Sequence, residues 1–331
     1  MTRQAVQEAV PDVRAPALPS PPGGPAALRR SAYWPTLACL AVLLCAAYLA
    51  RRHWPTVEHG ALRLAVADPG WLLVGAAAAV CTWGASALAQ QGAVPRRLPG
   101  GRLVAAQFAA CAANHLLPAG LGAGAVNLRF LMRCGLSAGR SAGALAVKAA
   151  AGATVRLVLI AVLAPLCPGL LRVPRVSPAV MAAVIGAVAL VAALLAGPLR
   201  PRCRQALASV LPEIRAVHAC PARAAALWGG SLAFTVLHCL VLLSVGQAVG
   251  LPLPPYQVAL LYLAASGAAA LLPTPGGLGS LDAALALGLT VSGAPAATAA
   301  SAVLGYRLLT VWLPLLPGLA VLALLVRRKA L

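Results

Sequence analysis

One acidic residue, Asp282, and three basic ones, Lys148, Arg156 and Arg307, stand inside otherwise apolar stretches of this 331-residue chain. A base at the centre of a membrane helix costs roughly 2.5–3.5 kcal/mol on insertion scales, so such residues persist where they pair, hold an anion or line a wet path. Lys148 and Arg156 are eight apart, nearly on one helical face, with Gly152 between them. Arg307 lies about nine residues into the last apolar run, roughly 14 Å deep at helical rise. Asp282 follows Gly276-Gly277-Leu278-Gly279-Ser280, where a new helix is expected to begin. Two roles fit it: Ser280 as N-cap with the acid stabilised in the first turn, or an ion pair with Arg307, Arg156 or Lys148 that closes a buried polar site. Three bases against one acid leave a positive surplus that needs an anion, water or carbonyls. A lipid phosphate is the obvious anion, and helix starts after glycine breaks offer free N–H groups to it.

Other chemistries lack their parts. General acid–base or metal catalysis normally uses paired carboxylates, or histidine with a carboxylate. Only one acid is embedded, and His115 and His238 have no carboxylate at a useful spacing, so packing or a backbone hydrogen bond is expected for both. The nine cysteines are scattered without a CxxC pair and read as small apolar side chains. No catalytic residue, metal ligand or cofactor is assigned.

The elements that carry these residues are membrane helices. Hydrophobic residues make up 61% of the chain, charged residues 10%, and the mean hydropathy is +0.88; a soluble domain carries about 25% charged residues. Apolar runs near or above spanning length occur at Tyr33–Ala50, Trp71–Ala89, Ser141–Pro165, Pro178–Gly197, Ala224–Val249 and Ala296–Val326. None alternates as a porin strand does, so the spans are helical. Residues 1–32, rich in proline, read as a disordered cytoplasmic tail, 33–326 as the transmembrane domain and 327–331 as a basic tail.

Two stretches are interrupted. Leu116-Leu117-Pro118-Ala119-Gly120-Leu121-Gly122 breaks the first, and Leu271-Leu272-Pro273-Thr274-Pro275-Gly276-Gly277-Leu278-Gly279 the second. Arms of roughly 15 residues, about 23 Å of helix, are short for a ~30 Å core. The expected fold is therefore all-α and polytopic, with about six full spans plus two Gly/Pro-broken re-entrant helical hairpins in an inverted repeat. Asn114, just before the first break, is expected to hydrogen-bond unwound backbone.

The net charge of +20 belongs to this topology rather than to nucleic acid. Eighteen of the 26 bases fall on one side, in the tail, at Arg96–Arg102, Arg129–Arg140 and Arg200–Arg223, and from Arg327 onward. That side is expected to be cytoplasmic and to hold both termini, in a multi-pass plasma-membrane protein. Arg129 and Arg133 are expected to snorkel toward headgroups. The Arg200–Arg223 loop reads as a topology anchor, or as a docking or headgroup surface.

Asn114-His115-Leu116-Leu117-Pro118-Ala119-Gly120-Leu121-Gly122, continuing through Asn127-Leu128-Arg129 to Gly135, resembles the first motif of flippase-like proteins related to the transmembrane region of lysylphosphatidylglycerol synthase. The second motif is similar too: Pro273-Thr274-Pro275-Gly276-Gly277-Leu278-Gly279, an acid at Asp282, then Tyr306-Arg307, Thr310, Trp312, Pro314 and Gly318. The similarity spans roughly 35–326, with aspartate at 282 where the family usually has glutamate. The resemblance implies a lipid-translocating module. The chain ends soon after its last helix, so no aminoacylating synthase domain is expected.

Three functions follow. The first is translocation of an anionic or amino-modified phospholipid or glycolipid past Asn114, Arg129, Lys148, Arg156, Gly276, Gly277, Gly279, Asp282 and Arg307, with Pro118, Gly120, Pro273 and Pro275 making the breaks. The second is a non-transporting scaffold for a lipid-modifying enzyme or glycosyltransferase, and the third an intramembrane lipid enzyme. Expected partners are a membrane phospholipid or lipid-linked substrate and a lipid-modifying enzyme, with no nucleic acid.

Overall fold

Polar punctuation sets where the helices of this apolar chain begin. A computed structural model describes residues 48, 51, 54–116, 121–168, 200–270 and 279–327, and the regular elements among them are all helical. In chain order they are α1 (Trp54–Ala65), α2 (Pro69–Gly92), α3 (Gly100–Leu116), α4 (Leu121–Arg133), α5 (Ala138–Leu163, continued by a 3-10 turn to Leu166) and α6 (Arg200–His218). Then follow α7 (Pro221–Ala248), α8 (Pro255–Ala270), α9 (Ser280–Val291), α10 (Ala296–Arg307) and α11 (Leu313–Arg327), the last two joined by a π turn at Leu308–Trp312. Asp68 starts α2: its Oδ1 accepts from the N–H groups of Gly70 (2.7 Å) and Trp71 (3.1 Å), and Pro69 takes the position that needs no N–H. Ser137 caps α5 in the same way.

Four stretches are long and apolar enough to cross a membrane: Pro69–Gly92, Ala138–Leu166, Pro221–Ala248 and Ala296–Leu325, of 24 to 30 residues. The shortest is about 36 Å long at helical rise, enough for a ~30 Å core. These correspond to four of the six expected runs; Tyr33–Ala50, apart from Tyr48, and Pro178–Gly197 lie outside the described residues, as does the tail 1–32. Their outward faces carry Leu73, Val80, Leu157, Val162, Leu232 and Val236, all exposed. Such a surface suits lipid rather than water.

The interrupted stretches resolve into short helices. α3 and α4 have 17 and 13 residues and pack on each other; α8 and α9 have 16 and 12 and do the same. A Cβ on Gly122 would sit on the Ala113 carbonyl, so only glycine lets the first pair close beside its break. The breaks themselves, with Pro118, Gly120, Pro273, Pro275, Gly276 and Gly277, lie outside the described residues.

One expectation needs correcting. Residues 200–218, read from their arginines as loop, form the 19-residue helix α6. Charge masked the period: Val210, Ile214 and Val217 recur at helical spacing and pack against the core around Ala144, Val147 and Leu227, which makes α6 amphipathic. The segment holding Arg63 is helical too, as α1. It lies on α10 where Gly60 meets Ala300 and Ser301, and Arg63 donates to Thr298 Oγ1 at 2.8 Å.

The most extensive helix contact joins α2 and α7. Small residues make it possible, as is usual where lipid supplies no hydrophobic drive. A Cβ on Gly230 would press on the Ala89 amide and lie 2.9 Å from the Ala85 carbonyl, and one on Gly92 would meet the backbone of Arg223 and Leu227. Gly230→Leu is therefore expected to destabilise the bundle by about 3 kcal/mol or more, the upper range for overpacking. Gly229, which faces open space, should accept alanine without loss. Thermal unfolding of the two variants in detergent checks this; equal melting temperatures would contradict the packing argument.

Candidate functional site

Polar residues recur at helical spacing on the faces that α2 and α3 turn toward each other. On α2 they are Thr82 and Ser86; on α3, Gln107 and Asn114 stand two turns apart with Cys111 between them. These faces, with α4, α5, α7, α8, α9, α10 and the π turn, line a cavity of about 650 Å³. Lys148, Arg156, Asn114 and Arg307 all line it, as do His115 and His238.

Lys148 is the hub of a hydrogen-bonded set on the α2–α5 side. Its Nζ donates to Ser86 Oγ (2.9 Å) and Gln107 Oε1 (3.0 Å). Ser86 Oγ donates to Gln107 Oε1 at 2.8 Å, Gln107 Nε2 to Asn127 Oδ1 at 2.7 Å, and Asn127 Nδ2 to the Ala123 carbonyl at 2.9 Å. All these partners are neutral. An ammonium has three N–H donors, so one is left for a ligand. Two turns along α5, the Arg156 stem passes Gly267 of α8, and its buried Nε has no hydrogen-bond partner among the described residues.

Across the cavity Arg307 donates through Nε to Asp282 Oδ1, the one salt bridge among the described residues. The other oxygen, Oδ2, accepts from the Gly279 N–H at 2.9 Å. Helix start and ion pair, alternatives in the sequence, are thus made by the two oxygens of one carboxylate. The N-cap is Gly279 and not Ser280: the backbone there has φ +80°, which glycine adopts without penalty, and Ser280 is already helical. Arg307 immediately precedes the π turn, whose Leu309, Thr310 and Val311 also line the cavity. Pro314 explains the turn in part, since it lacks the N–H that would close an α-helical bond to the Thr310 carbonyl.

An aromatic wall completes the site. Phe234 and His238 have ring centroids 4.4 Å apart, and Tyr306 donates to the Tyr262 hydroxyl at 3.1 Å. His238 Nδ1 lies 3.0 Å from the Phe234 carbonyl, so that nitrogen carries the proton. His115 Nδ1 is buried without a partner among the described residues. No group of three or more His, Cys, Asp or Glu side chains converges among the described residues.

Of the residues singled out in the sequence, Asn114, Lys148, Arg156 and Arg307 face one space, and Asp282 and Gly279 join it through Arg307. Arg129 does not: it is exposed on α4, while Asn127 of the same helix turns inward. Sequence reasoning passed over Ser86, Gln107 and Tyr262, and quoted Asn127, Tyr306 and Thr310 only as motif residues without a place in the path. The available signal was a neutral polar side chain in an apolar helix at heptad distance from another, Gln107 before Asn114.

These features define a polytopic α-helical membrane protein with a cationic cavity among its helices. Residues 25–318 match the family described as Lysylphosphatidylglycerol synthase TM region, and the chain belongs to it. No curated protein matches the chain.

Proposed function

We propose that the protein moves a lipid with an anionic or amino-modified headgroup between the leaflets of the plasma membrane, through the cavity between its helices. One observation carries this reading: in a family defined by a lipid synthase's membrane region, three bases from α5 and α10 share a single cavity with the Ser86–Gln107–Asn127 amide and hydroxyl groups. Lipid-facing helices would carry the acyl chains outside while the headgroup crosses inside. In this reading α3–α4 and α8–α9 are re-entrant pairs of an inverted repeat, set among six spans with both termini cytoplasmic, and the site opens to alternate sides. The headgroup path runs by Asn114, Lys148, Arg156, Arg307 and Asp282, with Gly276, Gly277 and Gly279 at the second break, and Arg129 receives headgroups at the membrane surface.

The test is reconstitution into vesicles containing labelled phosphatidylglycerol and its aminoacyl derivatives. Protein-containing vesicles should redistribute label between leaflets at least about tenfold faster than empty ones, with Arg307→Ala near the empty rate; a tenfold change corresponds to about 1.4 kcal/mol of barrier. Equal redistribution by wild type and empty vesicles would remove the proposal.

A further inference from the structure

The wall of the cavity is unbalanced in charge, and the imbalance bears on what enters. Four acids lie among the described residues. Glu58 is exposed on α1, Asp68 caps α2, and Glu213 on α6 lines a separate surface pocket with Arg96 and Arg140. Only Asp282 touches a cavity base, and it is bonded to Arg307. Lys148 is held by Ser86 and Gln107, neither of which carries charge. Arg156 places a buried, unpartnered Nε beside the same space. Two cations therefore stand without a counter-charge among the described residues, inside a protein wall where charges act more strongly than in water.

We infer that the cavity selects its headgroup by net charge, taking a phosphate group with no accompanying ammonium and disfavouring a lysyl-esterified headgroup. The inference rests on the translocation reading insofar as that reading makes this cavity the lipid site, and it narrows the substrate class to the anionic member. A lysyl ester adds two ammonium groups to one phosphate and would bring a net positive headgroup to a positive wall. A phosphodiester neutralises one of the two surplus charges and suits the planar fork of Arg156, while Lys148 offers a point charge about two helical turns away on the same helix. The aromatic wall of Tyr262, Tyr306 and Phe234 does not reverse this preference, because Arg156 and Arg307 already border it.

Binding, rather than transport, is the measurement. The full chain in neutral detergent is titrated with phosphatidylglycerol, lysylphosphatidylglycerol and phosphatidylcholine, and separately with sodium phosphate, and occupancy is followed by native mass spectrometry and thermal shift. Phosphatidylglycerol is expected to bind at least about tenfold tighter than the lysyl ester, and Arg156→Gln to shrink that ratio to about threefold or less at an unchanged melting temperature. If Arg156→Gln does not fold, Arg156→Lys serves: it keeps the charge and hence the ratio, while weakening binding overall. A thermal shift by sodium phosphate equal to that by the lipid would assign the same phosphate chemistry to a soluble anion; a shift by lipid alone assigns it to a headgroup. Equal or tighter binding of the lysyl ester, or an unaltered ratio in Arg156→Gln, overturns the inference. Vesicles that show no translocation while the binding preference stands would instead sink the transport reading alone, and translocation without charge preference would sink only this inference.

Discussion

Asp282→Ala is expected to destabilise the protein by about 3 kcal/mol and to abolish translocation. Removing one partner of a buried ion pair leaves the other charge uncompensated and typically costs about 3–5 kcal/mol. The lower end applies because the Asp282 side chain is 31% exposed, although that of Arg307 is only 7% exposed. The same carboxylate holds the first turn of α9 through the Gly279 N–H, and loss of a cap contributes about 1 kcal/mol. A second substitution separates stability from function. Arg307→Met in the Asp282→Ala background removes the guanidinium that has lost its carboxylate and should recover part of the lost stability, since an apolar replacement of a buried pair is often neutral. Translocation should stay absent in the double variant. The measurements are detergent unfolding of the four proteins of the cycle and vesicle assays on each. A double variant that is no more stable than Asp282→Ala would show that the pair is not what Asp282 contributes.

How far this site was legible in the sequence depended on the kind of residue. Lys148, Arg156 and Arg307 stood out because a base in an apolar run is expensive, and that expense implies a tertiary partner whatever the fold. Gln107 and Asn127 gave no such warning. An amide in a membrane helix can bond to its own backbone, as Asn127 does with Ala123; only the packing of α3 on α4 makes it also accept from Gln107. Four of the spans were legible from length and hydropathy, but α6 was not, because its arginines outweighed the Val210, Ile214 and Val217 stripe that packs on the core. Arg129 was assigned to the path from its neighbourhood in the motif. Position around the α4 axis puts it outside the cavity: Arg129 is exposed, while two residues away Asn127 occupies the inward face. The π turn after Arg307 left only the trace of Pro314, because the spare carbonyl of Thr310 follows from covalent structure but its resolution into a wider turn follows from packing.

Lys148→Met should leave the fold intact while lowering translocation at least about tenfold, a change of about 1.4 kcal/mol in barrier. The two properties separate because of how the lysine is held. With Nζ removed, Ser86 Oγ still donates to Gln107 Oε1, and Gln107 Nε2 to Asn127 Oδ1, so no buried polar atom loses its last bond. Methionine approximates the volume of the lysine stem and carries no charge to desolvate, so the stability change is expected to stay within about 1 kcal/mol and to favour the variant. What disappears is a cation on the cavity wall, next to the linked Ser86, Gln107 and Asn127 side chains that line it. Lys148→Arg keeps the charge but has a longer, planar head that cannot reproduce both short contacts, and should retain partial activity. Gln107→Leu, by contrast, strips acceptors and donors from Lys148, Ser86 and Asn127 together, and is expected to lower stability as well as activity. Activity in Lys148→Met equal to wild type would mean that the headgroup does not pass this hub, and the route would then have to lie along Arg307 and the aromatic wall.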